Sequence, residues 1–140
     1  MSQEPEWLVE AVVVAVQRAL IAEHGGADGI RDQGLLDSAL ARPRNLLAYG
    51  GTPPDPFDLA ASYAYGLAKN HCFVDGNKRI ALTAALLFLE LNGWRLDAPS
   101  EQRYLMTLGL ASGEVSEANF SAWLRTNSVE FEPGRVPQSP

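Results

Sequence analysis

Between Arg79 and Glu90 the chain reads Ile-Ala-Leu-Thr-Ala-Ala-Leu-Leu-Phe-Leu, with Thr83 as its one polar side chain. A helix that is apolar around its whole circumference has to be covered by protein or by lipid. Ile80 to Leu89 is only ten residues long, and crossing a bilayer takes ~20. The segment is therefore expected inside a globular core, where other helices cover it. Phe57 to Asn70 supplies one cover, with Leu59, Ala60, Ala61, Tyr63, Ala64, Leu67 and Ala68 spread over most of its circumference. The 140 residues, 46% hydrophobic and 20% charged, suit one soluble domain with one core and exclude disordered, collagen-like and coiled-coil classes. The lone cysteine, Cys72, has no internal partner for a disulfide, and a chain of this length can fold without such staples.

Apolar residues recur at helical spacing elsewhere too, and no alternating apolar and polar runs are bounded by turn pairs. The spacing predicts an all-α, compact fold of five or six helices. The first covers Val9 to Glu23 and stops at Gly25-Gly26. A short helix from Gly34 to Ala41, capped by Asp32, is expected to stop at Pro43, followed by about one turn over Asn45 to Gly51. Phe57 to Asn70 and Asn77 to Leu91 follow the breaker Pro53-Pro54-Asp55-Pro56. An extended piece, Trp94 to Asp97, precedes helices over Ser100 to Ala111 and Glu117 to Thr126, the last capped by Ser116. Residues 1–127 read as one domain and 128–140 as a flexible tail, whose end is rich in proline.

The net charge of −6 argues against a general nucleic-acid binder, which needs a basic face for phosphates. One window runs the other way. Lys69 to Arg79 holds Lys69, Lys78 and Arg79 against Asp75, a net of +2, which leaves −8 on the rest of the chain. The N-terminal region carries Glu4, Glu6 and Glu10 where a secretory leader would place basic residues, so a cytoplasmic protein is expected.

The segment from His71 to Arg79 joins the two most apolar helices, and it is unusually rich in chemistry. Gly76-Asn77 stands where the second helix begins, so free N–H groups of its first turn are expected to face the loop. A glycine before a helix N-terminus suits phosphate, because the dipole and open donors favour negative charge and glycine permits close approach. His71 can accept a proton from a hydroxyl near neutral pH. Asp75 can hold Mg²⁺ together with substrate phosphates. Lys78 and Arg79 can neutralise phosphate oxygens, the arginine as a planar fork. Phe73 is expected to turn inward and anchor the loop. These are the parts that phosphoryl or nucleotidyl transfer requires. Each residue also has a plainer role available: a capping histidine, an aspartate of turn chemistry, a solvated pair of cations. The cation pair, however, sits at the helix end that prefers anions. A thiol nucleophile at Cys72 beside His71 is a poor option, because side chains of sequence neighbours usually diverge, and so is a zinc site at His71 and Asp75, because no further Cys or His lies nearby. His24, ahead of Gly25-Gly26, reads as a cation at a helix C-terminus.

The pattern His71-x-Phe73-x-Asp75-Gly76-Asn77-Lys78-Arg79 resembles the signature of the Fic/Doc superfamily, in particular its Doc (death-on-curing) branch of toxins. Gly29-Ile30-Arg31-Asp32, Gly34-Leu35-Leu36-Asp37-Ser38-Ala39-Leu40 and Ala68-Lys69-Asn70 are similar to Doc-like chains as well, and the resemblance spans roughly Trp7 to Leu124. It implies a compact helical Fic fold with the motif loop as active centre. Carried over, His71 becomes the base, Asp75 the Mg²⁺ ligand, Gly76 and Asn77 the anion hole, Arg79 a phosphate ligand and Phe73 the anchor. The expected catalytic set is thus His71, Asp75, Lys78 and Arg79, and the nucleotide-binding set is Gly76, Asn77, Lys78, Arg79 and Lys69. AMP-transferring members carry glycine where this chain has Lys78, and a second arginine where it has Leu82. A lysine crowds the space for an α-phosphate, and Leu82 removes a cation. Doc-type members share the lysine, and the resemblance implies a protein Ser/Thr kinase that uses Mg²⁺ and ATP, with elongation factor Tu as target. An AMP transferase is the second reading, and a non-catalytic module gripping a phosphorylated partner is the third. Many Fic enzymes restrain themselves with a Ser/Thr-x-x-x-Glu-Gly/Asn helix, but no glutamate here is followed by glycine or asparagine. The resemblance therefore implies restraint from outside, by a Phd-like antitoxin.

Overall fold

The computed structural model describes residues 4–132 and contains six helices and one small sheet among them. Helix α1 spans Glu10–His24, α2 Gln33–Tyr49, α3 Pro56–Asn70, α4 Asn77–Leu91, α5 Ser100–Ser112 and α6 Glu117–Asn127. Strand β1, Trp94–Leu96, pairs antiparallel with β2, Ser128–Glu130. The all-α expectation holds, with two corrections.

The first concerns Pro43. In place of a helix ending there and a separate turn, α2 runs through it to Tyr49. A proline inside a helix removes one N–H and crowds the carbonyl four residues back. Here Pro43 is buried, and α2 is pressed against α3 so closely that a Cβ on Gly66 would lie 3.2 Å from the Cα of Ala39. Tertiary packing overrides the local break. The second concerns the tail. Ser128–Glu130 forms β2, with Arg95 opposite Val129. Phe131 donates its N–H to Gly93 O (2.9 Å), and the Arg95 guanidinium sits 3.9 Å from its ring centroid. The ordered domain thus extends past residue 127, and the rest of the expected tail, 133–140, lies outside the described residues.

Helix α3 is the axis of the core. Ten of its fifteen residues are buried, against six of fifteen in α4. Small residues let it pack on several sides at once: α2 along Gly66, and α4 through Ala81, Ala84, Ala85 and Phe88, all buried. Its start is locally determined. Asp55 caps Asp58 N (2.8 Å), the Asp58 carboxylate reaches back to Asp55 N (3.0 Å), and Pro56 occupies the first turn. Helix α6 is tied to this corner, because Ser121 donates to Asp58 Oδ1 (2.6 Å) and Arg125 to Asp55 Oδ2 (2.8 Å).

Burial pushes the Asp58 carboxyl up, but the Ser121 hydroxyl, the Asp55 N–H and the Arg125 guanidinium outweigh it and hold the group below its ordinary value. A carboxylate with a lowered folded-state pKa adds stability above its unfolded pKa of about 3.9, and that stability is lost as pH falls through the folded value. Asp58→Asn is accordingly expected to lower the urea midpoint at neutral pH, with the gap to the wild-type protein closing as the solution is acidified below about pH 4. Partial solvent contact keeps the effect modest.

Candidate active site

The loop between α3 and α4 is held from one side by the segment that joins α1 to α2. Asp32 N and Arg31 N both donate to Cys72 O (3.1 and 2.7 Å), Ile30 bridges Phe73 in antiparallel fashion, and Val74 N donates to Gly29 O (3.0 Å). Ala27 N then donates to the Asp75 carboxylate at Oδ2 (2.7 Å). Residues 27–32 thus form a strap along residues 72–75. Gly26, at φ 109°, lets the strap approach, since a Cβ there would stand 3.2 Å from the Asp75 Cβ. From beneath, the buried Gln17 of α1 donates to Asp75 O (3.2 Å). On the other side Asn77 reaches back from the start of α4: its Oδ1 accepts from Phe73 N and its Nδ2 donates to Phe73 O, each at 3.0 Å. With Phe73 buried, the loop is held by the strap's backbone on one edge, by the Asn77 side chain on the other and by one aromatic ring in the core.

This frame leaves a particular set of groups outward. His71 is exposed, and its backbone lies in the left-handed region (φ 49°, ψ 48°). Gly76 is also left-handed (φ 75°) and opens α4, which no side chain caps, so its first-turn N–H groups stay open. Lys78 and Arg79 are exposed at this end, and among the described residues neither side chain is engaged in a hydrogen bond or ion pair. Two cations at the positive pole of a helix repel it and each other, and an anion bound there would relieve both.

The other expected residues divide. Phe73 is buried in the core beneath the loop. The Asn77 side chain is occupied as the loop's brace, so its share in an anion hole falls to the backbone. One Asp75 oxygen is taken by Ala27, leaving the other for a cation. No group of three or more potential metal-ligating side chains occurs among the described residues. Mg²⁺ fits such a place in the way it usually binds, through one or two carboxylates plus substrate phosphates. Lys69 is placed away from the loop: its Nζ donates to Ala111 O (3.1 Å) at the C-terminal end of α5, where the helix pole favours a cation. Sequence proximity to the motif does not bring it there, because Lys69 lies on α3 before the chain turns. Cys72 is fully buried, and burial pushes its thiol up, which suits a core residue and not a nucleophile. His24 closes α1, as expected.

The strap residues, together with Gln17, escaped a reading of the sequence for chemistry. Their contacts are mostly backbone groups some forty residues away, which leave no trace in side-chain type. The run Gly25, Gly26 and Gly29, all at positive φ, was the available signal.

Asp75→Asn separates the brace seen here from the Mg²⁺ role expected of that side chain, because an amide oxygen still accepts from Ala27 N while the charge is gone. It is expected to fold like the wild-type protein yet lose the Mg²⁺ dependence of nucleotide binding, whereas Asp75→Ala loosens the strap as well. Calorimetric titration of nucleotide with and without Mg²⁺ measures this. Undiminished Mg²⁺ dependence in Asp75→Asn would remove the residue from the metal site.

The Fic/DOC family model matches residues 7–89, which include the strap, α3, the motif loop and nearly all of α4. This chain belongs to the Fic/Doc family. Within it, the chain is similar to "Protein kinase doc" of Escherichia phage P1, at 36% identity over 114 residues, which is 81% of this chain and 88% of that one. It is also similar to "Toxin Doc" of Mycolicibacterium smegmatis, at 47% identity over 74 residues, 53% of this chain and 57% of that protein. Its Doc-type character, expected from Lys78, agrees with both relatives. No helix among the described residues is long and apolar enough to cross a membrane.

Proposed function

We propose that this chain is a Doc-like toxin that acts as a protein kinase, moving the γ-phosphate of ATP to a serine or threonine hydroxyl of a protein. The observation that carries this is the pair Lys78 and Arg79, with unengaged side chains in the uncapped first turn of α4, a few residues after an exposed His71. His71 takes the proton of the target hydroxyl, and the freed oxygen attacks the γ-phosphorus. The bond from the γ-phosphorus to the bridging oxygen breaks and ADP leaves. Lys78, Arg79 and the N-terminus of α4 stabilise the charge that develops on the phosphate oxygens. Mg²⁺, held by Asp75 and the phosphates, would supply charge neutralisation there.

Phosphate transfer is favoured over AMP transfer because Lys78 stands where a glycine would leave room for an α-phosphate, and Leu82 offers no charge to the rest of a nucleotide. The likeness to a protein named as a kinase supports the same choice. On the family resemblance we take the target to be a translation factor, elongation factor Tu, the compartment to be the cytoplasm, and the restraint to be a Phd-like antitoxin segment. The purified chain, incubated with Mg²⁺, ATP and elongation factor Tu, is expected to add one phosphate to the factor, read by intact mass and peptide mapping. Addition of a whole nucleotide would replace this proposal with AMP transfer, and an unmodified factor would remove it as the target.

A further inference from the structure

His71 is the one non-glycine residue at positive φ among the described residues, and it stands at the C-terminal end of α3, a place where glycine is usual. Side chains rarely adopt this conformation unless the surroundings impose it. The last carbonyls of a helix also lack intrahelical donors. Arg31 meets both conditions. Its Nε donates to His71 O (2.6 Å) and its second terminal nitrogen to Asn70 O (3.2 Å), so one guanidinium spans two consecutive carbonyls on either side of the turn. The backbone of the same residue donates to Cys72 O (2.7 Å). Three successive carbonyls, 70 to 72, therefore accept from Arg31, the last of them sharing its place with Asp32 N. The positive charge of Arg31 also lies at the helix pole that favours it.

We propose that Arg31 is a positioning residue of this site: its fork, delivered by the strap, holds His71 in the left-handed turn that presents the imidazole beside the N-terminus of α4. The proposal deepens the kinase reading and rests on it for the proton that His71 moves, but the conformational half stands without it. Lysine, with a single nitrogen, cannot span both carbonyls in the way a planar fork does.

The chain has two histidines, His24 and His71, so NMR of isotope-labelled protein isolates the signals of His71 by comparison with His71→Ala. In Arg31→Ala, the His71 Cα shift and N–H to Hα coupling are expected to leave left-handed values. The kcat for phosphate transfer should fall about ten- to a hundredfold, the effect expected from a misplacement near 1 Å, with little change in KM for ATP. Arg31→Lys should lose less, and guanidinium added to Arg31→Ala should restore part of the rate. Unchanged His71 signals in a folded Arg31→Ala protein would overturn the proposal, as would a loss seen in KM alone. If Arg31→Ala does not fold, Arg31→Lys decides: wild-type His71 signals together with a wild-type rate would overturn it. Displaced His71 signals in a protein whose wild-type form transfers no phosphate would uphold the positioning role and sink the kinase reading.

Discussion

His71→Ala is expected to leave a folded protein whose phosphate transfer is slower by about 10²–10⁴-fold, the range typical of losing a general base. Its side chain is exposed, and the internal bond at this residue is accepted by its main-chain carbonyl, which alanine keeps. Thermal stability should therefore change little, the one cost being that alanine is less at ease than histidine with a positive φ. Nucleotide binding should persist as well, because Lys78, Arg79 and the first turn of α4 are untouched. Expression without a partner should stop growth for the wild-type chain and not for His71→Ala. Single-turnover transfer and calorimetric ATP binding, measured on the same preparation, check both halves. A variant that transfers at the wild-type rate would leave only phosphate gripping for the loop.

Phe73→Ala has the largest expected effect on stability, a loss of about 3–5 kcal/mol, as for other fully buried aromatic rings cut back to alanine. Phe73 is 1% exposed. Because domains of this kind are stable by only about 5–15 kcal/mol in all, such a loss threatens folding at physiological temperature. The backbone on either side is still held by Asn77 and by the bridge to Ile30, so the loop should keep its path in those molecules that remain folded. Denaturant titration gives the free-energy difference. A loss under about 1 kcal/mol would mean that the ring fills no essential space, and that the strap alone holds the loop.

Much of the helical scaffold was legible without coordinates. The apolar circumference of α3 and α4 and the start and stop signals at Gly25-Gly26, Asp32, Gly76-Asn77 and Ser116 all operate within a few residues of chain, and the structure honours them. The candidate site was legible for the same reason, since His71 to Arg79 is one continuous loop between two helices. Local reading fell short where distant chain decides. Pro43 carries an ordinary stop signal, yet α2 continues because its packing on α3 outweighs the missing bond. Ser128–Glu130 shows no alternating pattern, and becomes a strand only because β1 offers an edge. Lys69 adjoins the motif in sequence, but the turn of α3 delivers it to the end of α5.

What the sequence by itself determined is therefore the inventory: five or six helical segments, a buried pair at the centre, and a loop with an imidazole, a carboxylate and two cations in fixed order. These follow from periodicity, capping and glycine placement, which depend on neighbours along the chain. Only the tertiary structure decided which of those groups face outward, that Asp75 and Asn77 also brace the loop, and that Arg31 closes the turn at His71. The contacts of Asp75 and Arg31 join a side chain to backbone some forty or more residues away, and their energies exist only once the chain has brought them together.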